Sequence, residues 1–371
     1  MVDVAIIADD LTGALDAASP FAARGRRVEA AVSAAAVAEI DVSADVITVN
    51  AATRDLPGEQ AASIVRSVTE RIVDLRPRIL FKKIDSTLRG NIAPESRAVA
   101  NAARRHRMIV CPAVPDQGRI VRSGELVLSG QAGSPAGDGR PIRPLFETSG
   151  PADGLRICDS ADGADLMEVA ERVLREASGT IAVGAAGLAG ALAAKLYGAR
   201  CGPVLTMTAP GLFVVGSRAA ATLAQLQELD GDPRVATRLV GPDCPTAALP
   251  RDQAEIEVLR PEPETVLASS ALVADRIAAA AARRCEELAP GTLFLCGGHI
   301  AERCLAALGT RTMSVVAEVE PGVPVARASI CGRSTWVVTK AGGFGDAGCL
   351  VRLADRLKEQ PEPEKRRHCV S

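Results

Sequence analysis

Short apolar runs alternate with longer amphipathic stretches along most of the chain, and this alternation constrains the fold more than any other feature. In the first half, strand-like runs at residues 4–8, 46–50, 79–84 and 108–111 are separated by helical stretches. Strands and helices that alternate at this spacing form βαβ units, and near-continuous Val and Ile indicate strands buried on both faces. The pattern predicts an α/β fold with mainly parallel sheets.

The alternation is interrupted once, by a stretch rich in Gly and Pro at residues 129–154. We predict a long loop or flap there and not a domain boundary, because strands and helices resume after it and continue to residue 196. The boundary is predicted just before a new strand-like run near residue 204. We therefore expect two α/β domains, residues 1–200 and 203–360, with the active site in the cleft between them. A flexible tail rich in Pro and charge is expected at residues 361–371.

Composition excludes several classes of function. The 371 residues include 43 basic and 45 acidic side chains, and no basic stripe carries stacking aromatics, so we expect no nucleic-acid partner. No apolar run approaches the length of a membrane span, and the first residues lack the basic region of a signal peptide. Ten scattered cysteines are typical of reduced thiols in a cytoplasmic protein.

Charged side chains lie at or just after the carboxyl ends of the predicted strands of the first half. In a parallel sheet, ligands bind at these ends of the strands. The charged residues are Asp9, Asp10, Arg54, Lys82, Lys83, Asp85 and Arg89. The cations can hold an anion, and arginine suits bidentate contact with a carboxylate. The aspartates can accept hydrogen bonds from hydroxyls or act as a general base on one of them. Together they predict a site for a small polyhydroxy acid.

Simpler interpretations of these residues stay open at this point. Asp9 or Asp10 could cap the helix that follows the first strand. Lys82 or Lys83 could be a solvated strand end. Only six residues of the chain are lysines, however, so a lysine that is present suggests a position that needs a compact ammonium.

Three Gly-rich turns open predicted helices in the second half. They are Gly216-Ser217-Arg218, Gly297-Gly298-His299 and the turn from Gly342 to Asp346. Backbone N–H groups in such turns can cradle phosphates, and Lys340 could reach a phosphate as a point charge. Plain caps remain the alternative for each turn, and His299 could be an ordinary turn residue. We see no metal-ligand spacing. The two halves together predict phosphoryl transfer to a small acid.

The chain resembles the four-carbon acid sugar kinase family. The most specific match is the string Lys-Lys-Ile-Asp-Ser-Thr-Leu-Arg-Gly-Asn over residues 82–91. Further matches follow in family order at residues 8–14, 115–119, 186–189, 216–218, 297–298, 321–324 and 339–346. The resemblance covers nearly the whole chain.

The resemblance implies a sugar-acid-binding N-terminal domain and a nucleotide-binding C-terminal domain. It implies ATP-dependent phosphorylation, with Mg²⁺, of a terminal hydroxyl of threonate, erythronate or an oxo-tetronate. By motif, the catalytic candidates are Asp85, Lys82 and Lys83, and the substrate-binding candidates are Asp9, Asp10, Arg54 and Arg89. The ATP-binding candidates are Ser217, Gly297, Gly298, His299, Ile300, Lys340, Gly342 and Gly343.

The chain departs from the family pattern at two places. His299 and Ile300 stand where the family carries an acid and a threonine, and Glu125 stands where a histidine is expected. Two alternatives follow: a kinase of a related branched or longer oxo-sugar acid, or a degenerate kinase that binds a sugar acid or nucleotide without catalysis. The sequence also leaves a homo-oligomer open.

Overall fold

The computed structural model describes residues 2–128, 139–147, 154–201, 205–241, 254–262 and 270–358. The predicted tail at residues 361–371 and most of the predicted loop at residues 129–154 lie outside these ranges. Within the described residues, no helix is long and apolar enough to cross a membrane.

The elements alternate through the described ranges, as the apolar runs predict. The strands are β1 (Val4–Ala8), β2 (Val28–Ala31), β3 (Val46–Asn50), β4 (Ile79–Lys83), β5 (Arg107–Cys111), β6 (Arg119–Arg122), β7 (Glu125–Leu128), β8 (Arg140–Pro141), β9 (Leu155–Ile157), β10 (Thr180–Gly184), β11 (Met207–Thr208), β12 (Gly211–Val215), β13 (Val235–Val240), β14 (Ile256–Pro261), β15 (Thr292–Cys296), β16 (Thr312–Glu320), β17 (Val323–Ile330), β18 (Arg333–Lys340) and β19 (Leu357–Lys358). The α-helices are α1 (Leu11–Ala22), α2 (Gly58–Val73), α3 (Ile92–Ala102), α4 (Arg143–Glu147), α5 (Gly163–Arg175), α6 (Ala186–Tyr197), α7 (Ala220–Leu229), α8 (Ser270–Leu288), α9 (Gly298–Ala307) and α10 (Cys349–Ala354).

One continuous sheet contains fourteen of these strands, in the order β13-β14-β12-β15-β18-β17-β16-β2-β3-β1-β4-β10-β5-β9. The seven strands from β2 to β9 in this order are parallel to one another. The five strands from β13 to β18 are also parallel to one another. The prediction of an α/β fold with mainly parallel pairing is confirmed.

Antiparallel pairing of β2 with β16 joins the two halves. Ala31 lies opposite Thr312, and Val28 lies opposite Val315. Because β16, β17 and β18 are also paired antiparallel, the parallel strands of the second half run opposite to those of the first. Four strands of this sheet, β2, β9, β14 and β17, were not predicted from the sequence, because they are short or interrupted by charged residues.

Helix α1 lies between the halves and is buried except for Asp16. It contacts β3 and α6 of the first half, and β16, β17 and α9 of the second. The six steps from β1 to β15 accumulate a twist of roughly 120–150°, at roughly 20–25° per step. This twist turns the reversed second half so that its carboxyl edge faces that of the first. A Cβ atom on Gly298, where α9 begins, would lie 3.5 Å from Oδ2 of Asp10.

Candidate active site

A cavity of about 100 Å³ lies at the carboxyl ends of β1 and β4 and is bounded by both halves. Its first-half lining consists of Asp10, Thr12, Gly13, Asp16, Arg54, Lys83, Asp85, Ser86, Thr87, Arg89 and Arg119. Its second-half lining consists of Gly322, Pro324, Thr339, Ala341 and Phe344. Of the seven charged residues predicted at the strand ends, five line the cavity: Asp10, Arg54, Lys83, Asp85 and Arg89. Asp9 contacts this lining, and Lys82 does not line the cavity.

Arg54 links the aspartates that follow β1. Its Nε and Nη2 donate to the two carboxylate oxygens of Asp9, at 2.8 and 2.9 Å, and its Nη1 and Nη2 donate to those of Asp10, at 2.9 and 2.7 Å. Burial alone would raise the pKa of Asp9, but the positive charges of Lys82 and Arg54 outweigh it and lower the pKa. The guanidinium of Arg54, which the sequence predicts to bind the substrate, thus already contacts two protein carboxylates.

Asp10 also begins helix α1. Its Oδ1 accepts from the backbone N of Gly13 at 3.0 Å, and its Oδ2 accepts from the hydroxyl of Thr12 at 2.7 Å. The alternative that one of the two aspartates caps the helix is therefore confirmed. The cap does not remove Asp10 from the site, because the same carboxylate lines the cavity.

Asp85 accepts five hydrogen bonds, four at Oδ1 and one at Oδ2. Its carboxylate accepts from the backbone N and hydroxyl of Thr87, at 2.9 and 2.5 Å, and from the backbone N, Nε and Nη2 of Arg89, at 3.3, 3.2 and 2.6 Å. Burial would raise the pKa of Asp85, but the hydrogen bonds from Arg89 and Thr87 and the charge of Arg54 lower it well below the usual range. A carboxylate held this firmly as an anion is poorly suited to take a proton.

The two adjacent lysines of β4 point to opposite faces of the sheet, as strand alternation requires. Lys82 forms a buried ion pair with Glu95 of α3, with Nζ and Oε2 2.8 Å apart. Lys83 lines the cavity, and its Nζ donates to the carbonyl of Ile84 at 2.9 Å. Both side chains are buried, so the alternative that one of them is a solvated strand end is wrong.

The predicted nucleotide turns meet at three neighbouring strand ends. Ser217 follows β12, Gly297 follows β15, and Gly342 follows β18. Gly342 approaches Ser217 so closely that a Cβ on it would lie 1.8 Å from the serine hydroxyl. Gly297 has a φ of +109°, which favours glycine, and its backbone N donates to the carbonyl of Lys340 at 2.9 Å.

The side chain of Lys340 is fully buried beneath the last of these turns. Its Nζ donates to the carbonyl oxygens of Ala341 and Phe344, at 3.2 and 3.0 Å. Thr222 adds a hydrogen bond to the carbonyl of Gly342 at 2.7 Å. In this arrangement Lys340 fixes the carbonyl oxygens of the turn, and Ala341 and Phe344 line the cavity.

The two residues that depart from the family pattern occupy different environments. Ile300 is buried, and a Cβ on Gly216 would lie 2.5 Å from its side chain, so Ile300 packs in the core beneath the turn. His299 is exposed, and its Nε2 lies 2.9 Å from a carboxylate oxygen of Asp55 in the first half. Glu125 lies in a separate small sheet with β6 and β8 and does not line the cavity.

Sequence analysis missed Asp16 and did not assign roles to Arg119 and Phe344. Asp16 is the only charged residue in α1, and it stands four residues after Thr12, so both lie on one helix face. A lone acid in an otherwise apolar helix is the signal that could have found it. Arg119 lies over the ring of Phe344, with its Cζ 5.8 Å from the ring centre, and so links the halves across the cavity.

Comparison with known domain families matches both halves. A family described as a sugar-binding N-terminal domain matches residues 4–149, and one described as a nucleotide-binding C-terminal domain matches residues 212–350.

Two relatives and a solved structure match this chain along nearly its full length. A D-threonate kinase from Bordetella bronchiseptica is 31% identical over 96% of this chain and 98% of its own. A 3-oxo-tetronate kinase from Burkholderia multivorans is 27% identical over 91% and 94%. A Salmonella typhimurium structure described as a putative tRNA synthase shares the fold, with a TM-score of 0.74 and 19% identity over 96% of this chain and all of its own.

Replacing Arg54 by Ala should destabilise the protein, because Asp9 and Asp10 would lose the cation that compensates their charge. Breaking such a buried pair costs about 3–5 kcal/mol. The low pKa of Asp9 implies stability that is present above the ordinary aspartate value and lost on acidification. The difference in the free energy of unfolding between wild type and variant should therefore be largest at pH 7 and decrease below about pH 4. A gap of the same size at both pH values, measured by urea denaturation, would contradict this account.

Replacing Gly342 by Ala should disturb the nucleotide turn, because the new methyl group would overlap the Ser217 hydroxyl. Overpacking of this kind costs about 1–3 kcal/mol, so the thermal midpoint should fall. Gly343→Ala is the matched comparison, since a Cβ there meets no atom within 4 Å, and its midpoint should stay at the wild-type value. Equal midpoints for the two variants would show that the contact between Gly342 and Ser217 is not tight.

Proposed function

Because the chain belongs to the four-carbon acid sugar kinase family, we propose that it transfers the γ-phosphoryl group of ATP to a hydroxyl of a four-carbon sugar acid. The observation that carries the proposal is the position of the cavity. Its polar first-half lining faces the Gly298 turn of the second half, with Asp10 3.5 Å from a Cβ at Gly298. An acid in the cavity and a nucleotide on the turn would meet in the cleft.

We propose that Lys83 and Arg119 hold the carboxylate of the substrate. Both line the cavity, and neither forms an ion pair with an acid among the described residues. Arg119 donates to the side-chain amide oxygen of Gln117 and covers Phe344. By contrast, the charges of Arg54 and Arg89 are already matched by aspartates. An incoming carboxylate would therefore gain most from Lys83 and Arg119.

In this proposal Arg54 acts through the aspartates it orients. Asp10, Ser86 and Thr87 line the cavity, and the hydroxyls of Ser86 and Thr87 can pair with the hydroxyls of a sugar acid. The family prediction that Arg54 itself contacts the substrate stays a prediction. It is tested by the Arg54→Lys variant, which keeps the charge but loses the bidentate contact with Asp9.

The nucleotide is proposed to bind at the turns after β12, β15 and β18. Helix α9 begins at Gly298, so its first backbone N–H groups and the positive end of its dipole are available to phosphate oxygens. Ile300 packs in the core, and its departure from the family pattern therefore leaves these N–H groups unaffected. His299 lies at the start of α9, and its Nε2 contacts the Asp55 carboxylate of the first half.

We propose that Mg²⁺ enters with ATP and is held mainly by its phosphates. Among the described residues, no group of three or more His, Cys, Asp or Glu side chains is arranged to hold a metal ion. Magnesium in kinases keeps several waters and needs only one or two protein carboxylates beside the phosphates. When bound, it would neutralise charge on the transferring phosphoryl group.

Two further assignments belong to this proposal. Strand β10 lies between β4 and β5, and α6 contacts α1 and α5, which supports first-domain limits of 1–200 and a second domain at 203–360. A cytosolic location is supported by the cysteines, since the eight in the described ranges are free thiols.

The proposal predicts ADP release that depends on a four-carbon sugar acid. The panel should contain D-threonate, L-threonate, D-erythronate and a 3-oxo-tetronate, with five- and six-carbon acids for comparison. The four-carbon members are expected because similar proteins are named D-threonate kinase and 3-oxo-tetronate kinase. Lys83→Met should raise the KM for the acid by about ten- to a hundred-fold, the value of one charge-assisted contact, with a small effect on the KM for ATP. Absence of acid-dependent ADP release from the wild type across the panel would contradict the proposal.

A further inference from the structure

We infer that the carboxylate of Asp16 takes the proton from the substrate hydroxyl during phosphoryl transfer. The inference rests on the proposed function and adds to it the residue that performs the proton transfer. Asp16 lines the cavity from α1, between the acid-binding lining of the first half and the strands of the second.

Asp16 differs from the other two acids of the cavity in its hydrogen bonding. Asp85 accepts five hydrogen bonds, and both oxygens of Asp10 are occupied by Arg54, Gly13 and Thr12. The carboxylate of Asp16 accepts none from any described residue and forms no ion pair with one. A base needs a free lone pair directed at its substrate. Among these three acids only Asp16 has both carboxylate oxygens free of hydrogen bonds from the described residues, whereas Oδ2 of Asp85 accepts one, from Arg89.

The surroundings of Asp16 also favour proton uptake. Burial raises its pKa to about 6; Glu318 and Asp10 add to this rise, and Lys83 and Arg119 partly oppose it. These four groups are the charged neighbours that act on it from β16, the start of α1, β4 and β6. A carboxylate with this pKa is ionised at neutral pH and can still accept a proton, whereas the firmly anionic Asp85 cannot do so readily.

The position of Asp16 matches the side from which the phosphoryl group would arrive. A Cβ on Gly298, at the start of α9, would lie 3.5 Å from the hydroxyl of Thr12, and Asp16 follows Thr12 by one turn on the same face of α1. The donors of Asp85, by contrast, come from its own loop in the first half. Asp16 is therefore the acid placed between a substrate on Lys83 and the cleft.

The step balances with ATP as the only co-reactant. The substrate hydroxyl oxygen forms a bond to the γ-phosphorus as the bond from that phosphorus to the β,γ-bridging oxygen breaks. ADP leaves with the electron pair of that bond, and the hydroxyl proton passes to Asp16. Release of the proton to water when the products leave restores the carboxylate.

The test compares Asp16→Asn, Asp16→Glu and Asp85→Asn with the wild type in the ADP-release assay from pH 5 to pH 9. The wild-type kcat/KM should fall about tenfold per pH unit below about pH 6. Asp16→Asn should lose about 10²–10⁴-fold in kcat, and its kcat/KM should not show this decline at acid pH. Asp16→Glu should recover part of the lost kcat and should show the decline. Asp85→Asn should still show the decline below about pH 6, whatever its rate. The pKa of Asp85 in the wild type lies well below its usual range, so Asp85 does not cause that decline.

Two controls separate proton transfer from other roles. Calorimetric titration with ATP and Mg²⁺ should give Asp16→Asn the wild-type affinity. Its thermal midpoint at pH 8 should equal or exceed that of the wild type, because a partly buried carboxylate with no ion-pair partner among the described residues is replaced by a neutral amide.

Several outcomes would overturn the assignment. Asp16→Asn with kcat within about threefold of the wild type would remove Asp16 from the proton transfer. Loss of ATP affinity in that variant would make it a nucleotide or metal contact instead. A wild type that is active on the panel, but whose kcat/KM does not decline below about pH 6, would also reject the assignment while leaving the kinase function intact. A wild type inactive on every acid would reject both.

Discussion

The antiparallel pairing of β2 with β16 is the constraint on which the rest of the molecule depends. It merges two parallel sheets into one of fourteen strands and reverses the strand direction between them. The accumulated twist then returns the carboxyl edge of the second half toward that of the first. Helix α1 fills the space between them, so its first residues meet the Gly298 turn, and its one charged residue opens into the cavity. The cleft is therefore a consequence of sheet geometry.

Charges inside this frame are arranged so that most compensate one another. Arg54 is shared by Asp9 and Asp10, Asp85 is held by Arg89 and Thr87, and Lys82 is buried against Glu95. A fully buried pair such as Lys82 and Glu95 adds little net stability, but removing one partner leaves a costly unpaired charge. They fix the lining in one geometry and leave Lys83, Arg119 and Asp16 as the groups free to respond to a ligand. A small acid with an adjacent hydroxyl complements that remaining set.

Much of the fold and part of the site could be predicted from sequence. The apolar runs located most of the parallel strands, and the rule for ligand position located the lining at Asp10, Lys83 and Asp85. Strand alternation shows that Lys82 and Lys83 face opposite ways, but which one faces the ligand depends on the helices that cover each face. The β2–β16 contact joins residues nearly 300 positions apart, and no local pattern encodes it. For the same reason the commitment of Arg54 to two aspartates and the burial of Lys340 under its own turn were not visible in the sequence.

The central claim is that a sugar acid binds to the first half, a nucleotide binds to the second half, and the two ligands meet in the cleft between the halves. A crystal structure with D-threonate and a non-hydrolysable ATP analogue tests it directly. The account predicts the acid carboxylate on Lys83 and Arg119, and the γ-phosphate at the start of α9. The acceptor hydroxyl should lie roughly 3–3.5 Å from the γ-phosphorus, the separation of a near-attack geometry. A nucleotide bound away from the turns at Ser217, Gly298 and Gly342, or an acid bound outside the cavity, would contradict it.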